Sequence, residues 1–276
     1  MAGQWLRRQA PAQDKTTRVD ARNPHPARIY NYWLGRKDNF VADRDAAQEA
    51  AAVNPEIAAD SLANRAFLGR AVRYLAAQCG VSQFLDIGAG LPAADNTHEV
   101  AQAVVPAARV MYVDNDPIVL THARAELVSG PRGCCEYLDA DLRDPGAIHQ
   151  AAARALDADR PVAVMLLLIL HLIPDAEDPH RIVTSLMDGM PAGSYLLLSH
   201  PASDVRSAQM AEMTRRLNQR MIGTTATLRD RAEVSAFFAG LELVEPGVVQ
   251  PPRWRPAPGE PAPAETALWC GVARRP

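Results

Sequence analysis

Short apolar runs alternate with helix-capping residues along most of this chain. The apolar runs lie at 82–90 ("SQFLDIGAG"), 109–114, 133–138, 162–170 and 194–200. Asp116, Asp144 and Asp178 each follow such a run (or its turn) and are each followed by proline. An acid at the N-cap with proline at the first helical position favours a helix start. Strands that alternate with capped helices predict βαβ units and a mostly parallel sheet covered by helices on both faces.

Longer helices are predicted from their end signals. Asn54 and Pro55 would begin a helix that Gly80 ends. Another helix is predicted after Asn96, because Asn96 and Glu99 have the spacing of a capping box. Two more are predicted at 203–220 and at about 230–239, and the latter begins with a second capping box formed by Asp230 and Glu233.

The C-terminal part lacks the alternation of strands and capped helices. "LELVEPGVV" and "TALWCGVAR" predict two strands, separated by a proline-rich loop from Pro251 to Pro263. The two strands could pair as an antiparallel edge. The whole pattern predicts an α/β fold, Rossmann-like, with a seven-stranded, mostly parallel sheet whose last strand is antiparallel.

Composition narrows the class of protein. The chain has 276 residues, 48% hydrophobic and 22% charged, which suits one large domain or one domain with an extension. A net charge of −3 gives no field that would attract nucleic acid or an anionic membrane. The four cysteines have no CxxC spacing, so a reduced, cytoplasmic protein is expected. Residues 1–26 lack an apolar signal region and predict a flexible leader, and the run 162–170 is too short to cross a bilayer.

A glycine turn follows the first predicted strand. In "FLDIGAGLP" the strand ends at Asp86, and Gly88 and Gly90 follow directly. Glycines here allow positive φ and let the backbone approach a ligand. Leu91 and Pro92 stand where a dinucleotide fingerprint has its third glycine, which weakens an NAD interpretation.

Acids recur at the ends of neighbouring strands. Asp114 ends the second strand, where nucleotide sites place an acid on the ribose hydroxyls, and Asp141 follows the third. With Asp86 they would meet at the carboxyl edge of the sheet, where ligands bind. Acids are also favoured at helix starts, and that alternative explains Asp116 and Asp144.

The sequence resembles a known family at this point. "FLDIGAG", "YVDNDP", "DADLRDP" and "LHLIPD" occur in the order seen in class I S-adenosylmethionine-dependent methyltransferases. More narrowly, the chain is similar to an S-adenosyl methyltransferase family that was formerly a domain of unknown function. That similarity rests on "ARIYNYWLGRKDNFVADRDAA", "NRAFLGRAVRYLA", "LPAADNTHEVAQ" and "GLELVEPGVV…WRP", from about residue 20 to the end. It implies S-adenosylmethionine as methyl donor and S-adenosylhomocysteine as product.

The resemblance also implies roles for single residues. Asp114 would accept both ribose hydroxyls, and Asn115 would flank the adenine. Asp141 would take the adenine amino group, with a backbone contact from Leu142. The methionine part would be lined by Asp86, Gly88, Ala89 and Gly90.

Two further cofactor contacts are expected at the edges of this site. Leu168, with the residues up to His171, would face the sulfonium. Arg65 could bind the cofactor carboxylate as a bidentate pair, although a solvated helix arginine explains it equally well.

The aromatic stretch 27–40 is expected to cover the site. In class I methyltransferases the segment before the first strand commonly folds over the cofactor, so residues 27–80 are predicted as a helical cover and 81–276 as the methyltransferase domain. Ile29 and Trp33 would pack inward as an i, i+4 stripe. The residues expected to point toward the site are Tyr30, Tyr32, Lys37, Asp38 and Asn39.

The reacting groups remain open from sequence alone. His171, Tyr32 and Asp38 are the candidate catalytic residues, with His171 either a general base or a core histidine. His98 and His200 are weaker candidates. No histidine has metal-ligand spacing, so no metal is expected. A small-molecule acceptor is favoured by elimination. The alternatives to a methyltransferase are a non-catalytic protein that binds the cofactor or its product, and a nicotinamide-dependent oxidoreductase. Oligomeric state stays open.

Overall fold

The computed structural model describes residues 21–257 and 264–276. Most of the predicted leader (residues 1–20) and the centre of the predicted proline-rich loop (258–263) lie outside the described residues. The helices are α1 Pro26–Trp33, α2 Val41–Val53, α3 Ile57–Gln78, α4 Thr97–Val104, α5 Pro117–Glu126, α6 Pro145–Ala155, α7 Pro179–Asp188, α8 Ser207–Arg220 and α9 Arg231–Ala236. The strands are β1 Gln83–Ile87, β2 Arg109–Asp114, β3 Cys134–Asp139, β4 Ala163–Leu167, β5 Tyr195–Pro201, β6 Glu242–Leu243 and β7 Leu268–Arg274.

The strands form one seven-stranded sheet in the order β3-β2-β1-β4-β5-β7-β6. β1 to β5 are parallel, and β7 runs antiparallel to both β5 and β6. The predicted Rossmann-like fold with an antiparallel last strand is therefore confirmed. The strand order reverses between β1 and β4, and ligands of open α/β sheets bind outside the carboxyl ends at such a reversal.

Both faces of the sheet are buried under helices. On one face Leu85 and Leu166 pack with Leu186 of α7, and on the other Phe84 and Met165 pack with helices including α3 and α4. Strands covered on both sides read as continuous apolar runs, which is why the sequence shows no alternation in them.

The repeated Asp-Pro pairs begin three helices as predicted. The Asp116 carboxylate accepts the Ile118 N–H at 2.8 Å, Asp144 accepts that of Ala147 at 3.0 Å, and Asp178 accepts that of Arg181 at 3.1 Å. These caps fix where each helix leaves the carboxyl edge of the sheet.

Two predicted boundaries are wrong. The helix expected from Asn54 begins only at Ile57, because Asn54 ends α2 and its side-chain oxygen accepts Arg206 Nη1 at 3.0 Å. The strand expected over 162–170 ends at Leu167, since Leu168 has φ of +51° and turns the chain out of the sheet. The apolar run continues because the 3₁₀ turn Leu170–Leu172 is itself packed into the core.

Smaller differences concern the C-terminal third. α8 starts at residue 207 rather than 203, and α9 ends at 236 rather than 239. The first of the two C-terminal strands is reduced to β6 and an isolated bridge between Val249 and Cys270. Gly247, with φ of +81°, lies in the turn that interrupts it.

The N-terminal helices form a separate layer with α8. Ile29 of α1, Ala46 and Ala47 of α2, and Met210 and Met213 of α8 share one apolar cluster. The inward packing predicted for Ile29 agrees with its 2% exposure. This layer lies over the carboxyl edge of the sheet.

Candidate active site

A cavity of about 620 Å³ lies between the sheet edge and the N-terminal layer. One side, here called the strand-end wall, consists of residues 86–90, 113–115 and 140–143 at the ends of β1, β2 and β3. The opposite side, the helical wall, is formed by residues of α1, α3 and α8. Residues 167–173, after β4, lie between the two walls. A volume of this size is within the range of about 300–1,000 Å³ that small-molecule sites occupy.

The two glycines of the first turn serve different purposes. Both have positive φ, +73° at Gly88 and +66° at Gly90. A Cβ at Gly88 would come within 2.6 Å of the Ile169 side chain, so this glycine permits close packing. A Cβ at Gly90 would meet nothing within 4 Å, and Gly90 lines the cavity. The open space for a ligand is therefore at Gly90.

The Asp114 carboxylate is held at the cavity by backbone donors. Its Oδ2 accepts the Gly90 N–H at 3.0 Å and its Oδ1 accepts the Asp116 N–H at 2.9 Å. Burial raises the pKa of Asp114 to about 6, against these two hydrogen bonds, which lower it. At neutral pH the group is an ionised acceptor with lone pairs left for a ligand.

Asp86 and Arg65 are engaged differently. Thr97 Oγ1 donates to Asp86 Oδ2 at 2.6 Å, and burial raises the pKa of Asp86. Arg65 Nη2 donates to the carbonyls of Ala94 and Asp95, each at 2.9 Å. Arg65 thus fastens the loop that follows the glycine turn, and it also lines the cavity.

Asp141 completes the strand-end wall. Asn115 Nδ2 donates to its Oδ2 at 2.9 Å, and the Arg143 N–H donates to its Oδ1 at 2.9 Å. Burial alone would raise the pKa of Asp141, but these hydrogen bonds and the Arg143 charge hold it below its usual value. Leu142, 6% exposed, lines the cavity next to it.

A chain of hydrogen bonds crosses from the helical wall to the end of β4. Tyr30 Oη donates to the Ser61 carbonyl at 3.1 Å and accepts from Asn64 Nδ2 at 3.1 Å. Asn64 Oδ1 accepts the Ser199 hydroxyl at 2.7 Å, and the Leu168 N–H donates to Ser199 Oγ at 3.1 Å. The left-handed backbone at Leu168 is therefore tied to α1 through buried polar groups.

His171 lies on the cavity wall in a turn that Arg229 fixes. The Arg229 guanidinium, 2% exposed, donates to the carbonyls of Leu170 and Ile173 at 3.1 and 3.0 Å and contacts His200 Nε2 at 2.8 Å. Burial, and then the Arg229 charge, lower the pKa of His171 to about 4. Its Nδ1 is buried with no hydrogen-bond partner among the described residues. The ring is neutral at pH 7.

The α8 part of the helical wall was not predicted as part of the site. Four α8 side chains line the cavity, Met210, Met213, Thr214 and Leu217, and Met221 lines it just after the helix end. The sequence signal was their spacing, which places them on one helix face, but such a stripe normally indicates core packing.

One ion pair lies in this helical wall. The Asp60 carboxylate, 1% exposed, is paired with Arg206 Nη2. Burial raises the pKa of Asp60, and the Arg206 charge opposes that shift. The carboxylate is thus compensated inside the protein.

His25 is a second residue that sequence reasoning missed. Its Nδ1 lies 3.3 Å from Asp116 Oδ2, and its backbone N–H donates to Asp43 Oδ1 at 2.9 Å. Burial lowers the pKa of His25, although Asp116 opposes this. The segment before α1 therefore lies against the residues that follow β2.

Several predicted residues lie away from the cavity wall. The Tyr32 hydroxyl accepts from Gln48 Nε2 at 3.0 Å, and Lys37 and Asp38 are exposed. Asn39 Nδ2 donates to Asn31 Oδ1 at 2.9 Å. The expected orientation of these four toward the site was wrong, because Tyr32 of α1 contacts α2 and the other three lie after α1, where the chain turns away. Tyr30 and Trp33 do line the cavity.

Two weaker histidine candidates are engaged within the protein. His98 Nδ1 lies 2.8 Å from the Tyr112 hydroxyl, in the core. His200 is fully buried beside Arg229. Neither His98 nor His200 lines the cavity.

Comparison with known proteins identifies the family. A family model described as S-adenosyl methyltransferase matches residues 12–276. The chain belongs to this S-adenosyl methyltransferase family. It is a methyltransferase that uses S-adenosylmethionine, which decides against the oxidoreductase and the non-catalytic alternatives.

Solved structures agree with this methyltransferase assignment. A DUF574 family protein from Streptomyces avermitilis is 40% identical over 94% of this chain and 100% of its own, with a TM-score of 0.90. A candidate methyltransferase from Thermobifida fusca is 39% identical over 93% and 96%, with a TM-score of 0.84. The methyltransferase SibL, 19% identical with a TM-score of 0.50 over 79% of this chain and 56% of its own, shares the fold alone. No curated protein matches the sequence.

The strand-end wall of this methyltransferase fits its cofactor. The open space at Gly90 allows a ligand to approach the backbone, and Asp114 presents an ionised carboxylate beside it. Across the described ranges 21–257 and 264–276 we find no cluster of side chains suited to hold a metal ion. Within the same ranges no helix has the length and apolarity needed to cross a bilayer.

Proposed function

We propose that this methyltransferase modifies a small molecule that binds in the cavity between the helical wall and residues 167–173. The observation that carries the proposal is the continuity of the cavity. One space of about 620 Å³ is lined both by the strand-end acids and by His171 and α8. Cofactor and acceptor would then meet at residues 168–171, near the reversal of strand order.

The strand-end wall would hold the cofactor. Asp114 would accept the ribose hydroxyls, because its carboxylate is ionised at neutral pH and fixed by two N–H donors. Asp141, oriented by Asn115, would bind the adenine amino group. The methionine part would lie beside Asp86 and the residues Gly88, Ala89 and Gly90. In this arrangement Arg65 mainly holds the loop after the glycine turn. Any contact of Arg65 with the cofactor carboxylate would be secondary to that role.

His171 would take the acceptor proton. The bound cofactor supplies an electrophilic methyl group on a sulfonium. When the acceptor is a hydroxyl, its oxygen forms a bond to the methyl carbon as the carbon–sulfur bond breaks, and its proton becomes strongly acidic. A neutral imidazole with a pKa of about 4 is basic enough to accept that proton. Alignment of the two reactants and exclusion of water would supply most of the remaining acceleration.

The helices α1 and α3 would act as the cover. Tyr30 and Trp33 line the cavity on the side opposite the sheet edge. The hydrogen bonds that join Tyr30, Asn64 and Ser199 tie this cover to Leu168, directly after β4. Enclosure of this kind keeps water away from the reacting sulfonium.

The test is methylation of a small-molecule library by the full-length protein and labelled S-adenosylmethionine. We expect acceptor-dependent release of S-adenosylhomocysteine and transfer of the label to a library compound. With that acceptor, His171→Gln should lower the rate about 100-fold without changing cofactor affinity. His122→Gln, at an exposed histidine paired with Glu126, is the matched control. An unchanged rate in His171→Gln would remove His171 from the mechanism, and failure to bind S-adenosylhomocysteine would remove the proposed site.

A further inference from the structure

We infer that the acceptor is an uncharged, largely apolar molecule that presents a hydroxyl group to His171 and Thr214. This inference rests on the proposed function and adds the chemical class of its substrate. It is carried by the helical wall, which differs from the strand-end wall in both polarity and charge.

The α8 part of the helical wall is mostly apolar. Met210, Met213 and Leu217 of α8 are 1%, 4% and 8% exposed, and all line the cavity. Ile57 and Trp33 line it from α3 and α1. Apolar ligand surface is stabilised by leaving water for such a wall, whereas an ionic group would lose its hydration without gaining a partner.

Near α8 no charge of the described residues is left without a counter-ion; Arg65 of α3, which also lines the cavity, donates instead to the Ala94 and Asp95 carbonyls beside the strand-end wall. Asp60 is the acid of the helical wall, and Arg206 pairs with it. Arg206 is also 3.2 Å from Glu56, so its own charge is satisfied. His171 is neutral at physiological pH for the reasons given above. A charged acceptor would therefore have no counter-ion in this part of the cavity.

Two uncharged polar groups are left over to orient an acceptor. His171 Nδ1 is buried without a hydrogen-bond partner among the described residues. Thr214 brings a hydroxyl to the cavity from the same helix as Met213 and Leu217. An imidazole nitrogen and a threonine hydroxyl each form a hydrogen bond with a ligand hydroxyl, which would orient that hydroxyl against an otherwise apolar helix face.

The methionines indicate that the wall adapts to the shape of its ligand. Met210, Met213 and Met221 are unbranched and flexible, and Asn54 Nδ2 approaches the Met210 sulfur at 3.4 Å. Thioether side chains fill irregular gaps and make favourable contacts with aromatic rings. A flat aromatic molecule with a hydroxyl group meets all of these requirements.

The test uses four probes of one shape with the full-length protein loaded with S-adenosylhomocysteine. They are 2-naphthol, naphthalene, 2-naphthoate and 2-naphthylmethylammonium, measured by calorimetric titration. We expect 2-naphthol to bind at least about tenfold more tightly than either ion, and more tightly than naphthalene. Equal or tighter binding of an ion would overturn the inference, as would the absence of binding by 2-naphthol at millimolar concentration.

Variants locate the effect on the helical wall. Met213→Lys should weaken 2-naphthol at least about tenfold and favour 2-naphthoate, and Met213→Gln should give a smaller loss in the same direction. Met187→Leu, at a methionine buried in the opposite core cluster, is the matched control and should bind as the wild type does. Unchanged probe preference in both Met213 variants would overturn the inference.

Cofactor binding is measured separately from binding of the four probes. Binding of S-adenosylhomocysteine is measured first in every variant, and it reports a folded protein with an intact strand-end wall. If it binds while 2-naphthol shows no preference, the substrate class is wrong and the proposed function stands. If it does not bind the wild type, the proposed function itself fails.

Discussion

The two walls of the cavity are built in different ways. Each acid of the strand-end wall lies in the last two residues of a strand (Asp86, Asp114) or two residues beyond one (Asp141), and its carboxylate is fixed by donors nearby, as Asp114 is by Gly90 and Asp116. The helical wall is assembled from α1, α3 and α8, which are far apart in sequence, and its one acid is neutralised by Arg206. If the two walls hold cofactor and acceptor as proposed, local sequence motifs bind the cofactor, whereas the acceptor site depends on how distant helices pack.

The largest expected effect comes from Asp114→Asn. It removes the charge that would accept two ribose hydroxyls, and hydrogen bonds to a charged group contribute about 1.5–3 kcal/mol each. We expect S-adenosylhomocysteine to bind at least about 100-fold more weakly by calorimetry. Binding of 2-naphthol should stay as it is, because the helical wall is untouched.

Asp139→Asn is the control for that change. Asp139 ends β3 opposite Asp114 in the register but is exposed and does not line the cavity. Equal losses of affinity in both variants would show that net charge, rather than the Asp114 contacts, holds the cofactor.

A smaller effect is expected from Asn64→Leu, which cuts the hydrogen-bond chain between the two sides. Tyr30 Oη and Ser199 Oγ would both lose a buried partner, so the free energy of unfolding should fall by about 2 kcal/mol. The methyl-transfer rate should also fall, while cofactor affinity changes little. Chemical denaturation and single-turnover kinetics measure these two quantities.

Ser61→Ala serves as its comparison. The Ser61 hydroxyl bonds within α3, and the Tyr30 contact uses the Ser61 backbone carbonyl, which alanine retains. If Ser61→Ala slowed methyl transfer as much as Asn64→Leu, the chain through Ser199 would not be the cause.

The affinity for the cofactor should fall about tenfold for each pH unit below the pKa of Asp114. The pKa of Asp114 is raised to about 6, so the ionised form that binds hydroxyls is lost as pH falls through that value. Affinity should therefore be constant above about pH 7 and about tenfold lower at pH 5. Titrations across this range test it, and Asp114→Asn should flatten the curve. A wild-type curve with no inflection near this pKa would contradict the role of Asp114.

The smallest effects are expected at Tyr32 and Asp38. Both were candidate catalytic residues from the sequence, and both lie outside the cavity wall. Tyr32→Phe and Asp38→Asn should each leave cofactor affinity and methyl-transfer rate within about twofold of the wild type. A loss of rate alone in either variant would mean that its side chain moves onto the site during the reaction.

Much of the strand-end wall could be predicted because its signals are local. A strand, a glycine turn and an acid occur within a few residues, and the Asp-Pro pairs mark where the following helices begin. The roles of Asp86, Asp114 and Asp141 toward the cofactor stay predictions. Their arrival at one edge of the sheet follows from parallel strand order.

The α8 part of the helical wall could not be predicted, for a physical reason. The apolar stripe of α8 has the same spacing whether it faces a core or a cavity, so Met210 and Met213 gave no signal. The end of β4 was predicted wrongly for a related reason, because the positive φ of Leu168 ends the strand inside an unbroken apolar run. His25 reaches Asp116 only through packing of the N-terminal layer, which no local motif encodes.

The most direct test of the account is a crystal structure of the protein with S-adenosylhomocysteine and 2-naphthol. We expect the ribose hydroxyls on Asp114, the sulfur facing residues 168–171, and the naphthol ring against Met210 and Met213 with its hydroxyl at His171. Naphthol on another surface, or a cofactor product lying against α8 with Asp114 free of it, would contradict the division of the cavity into two halves.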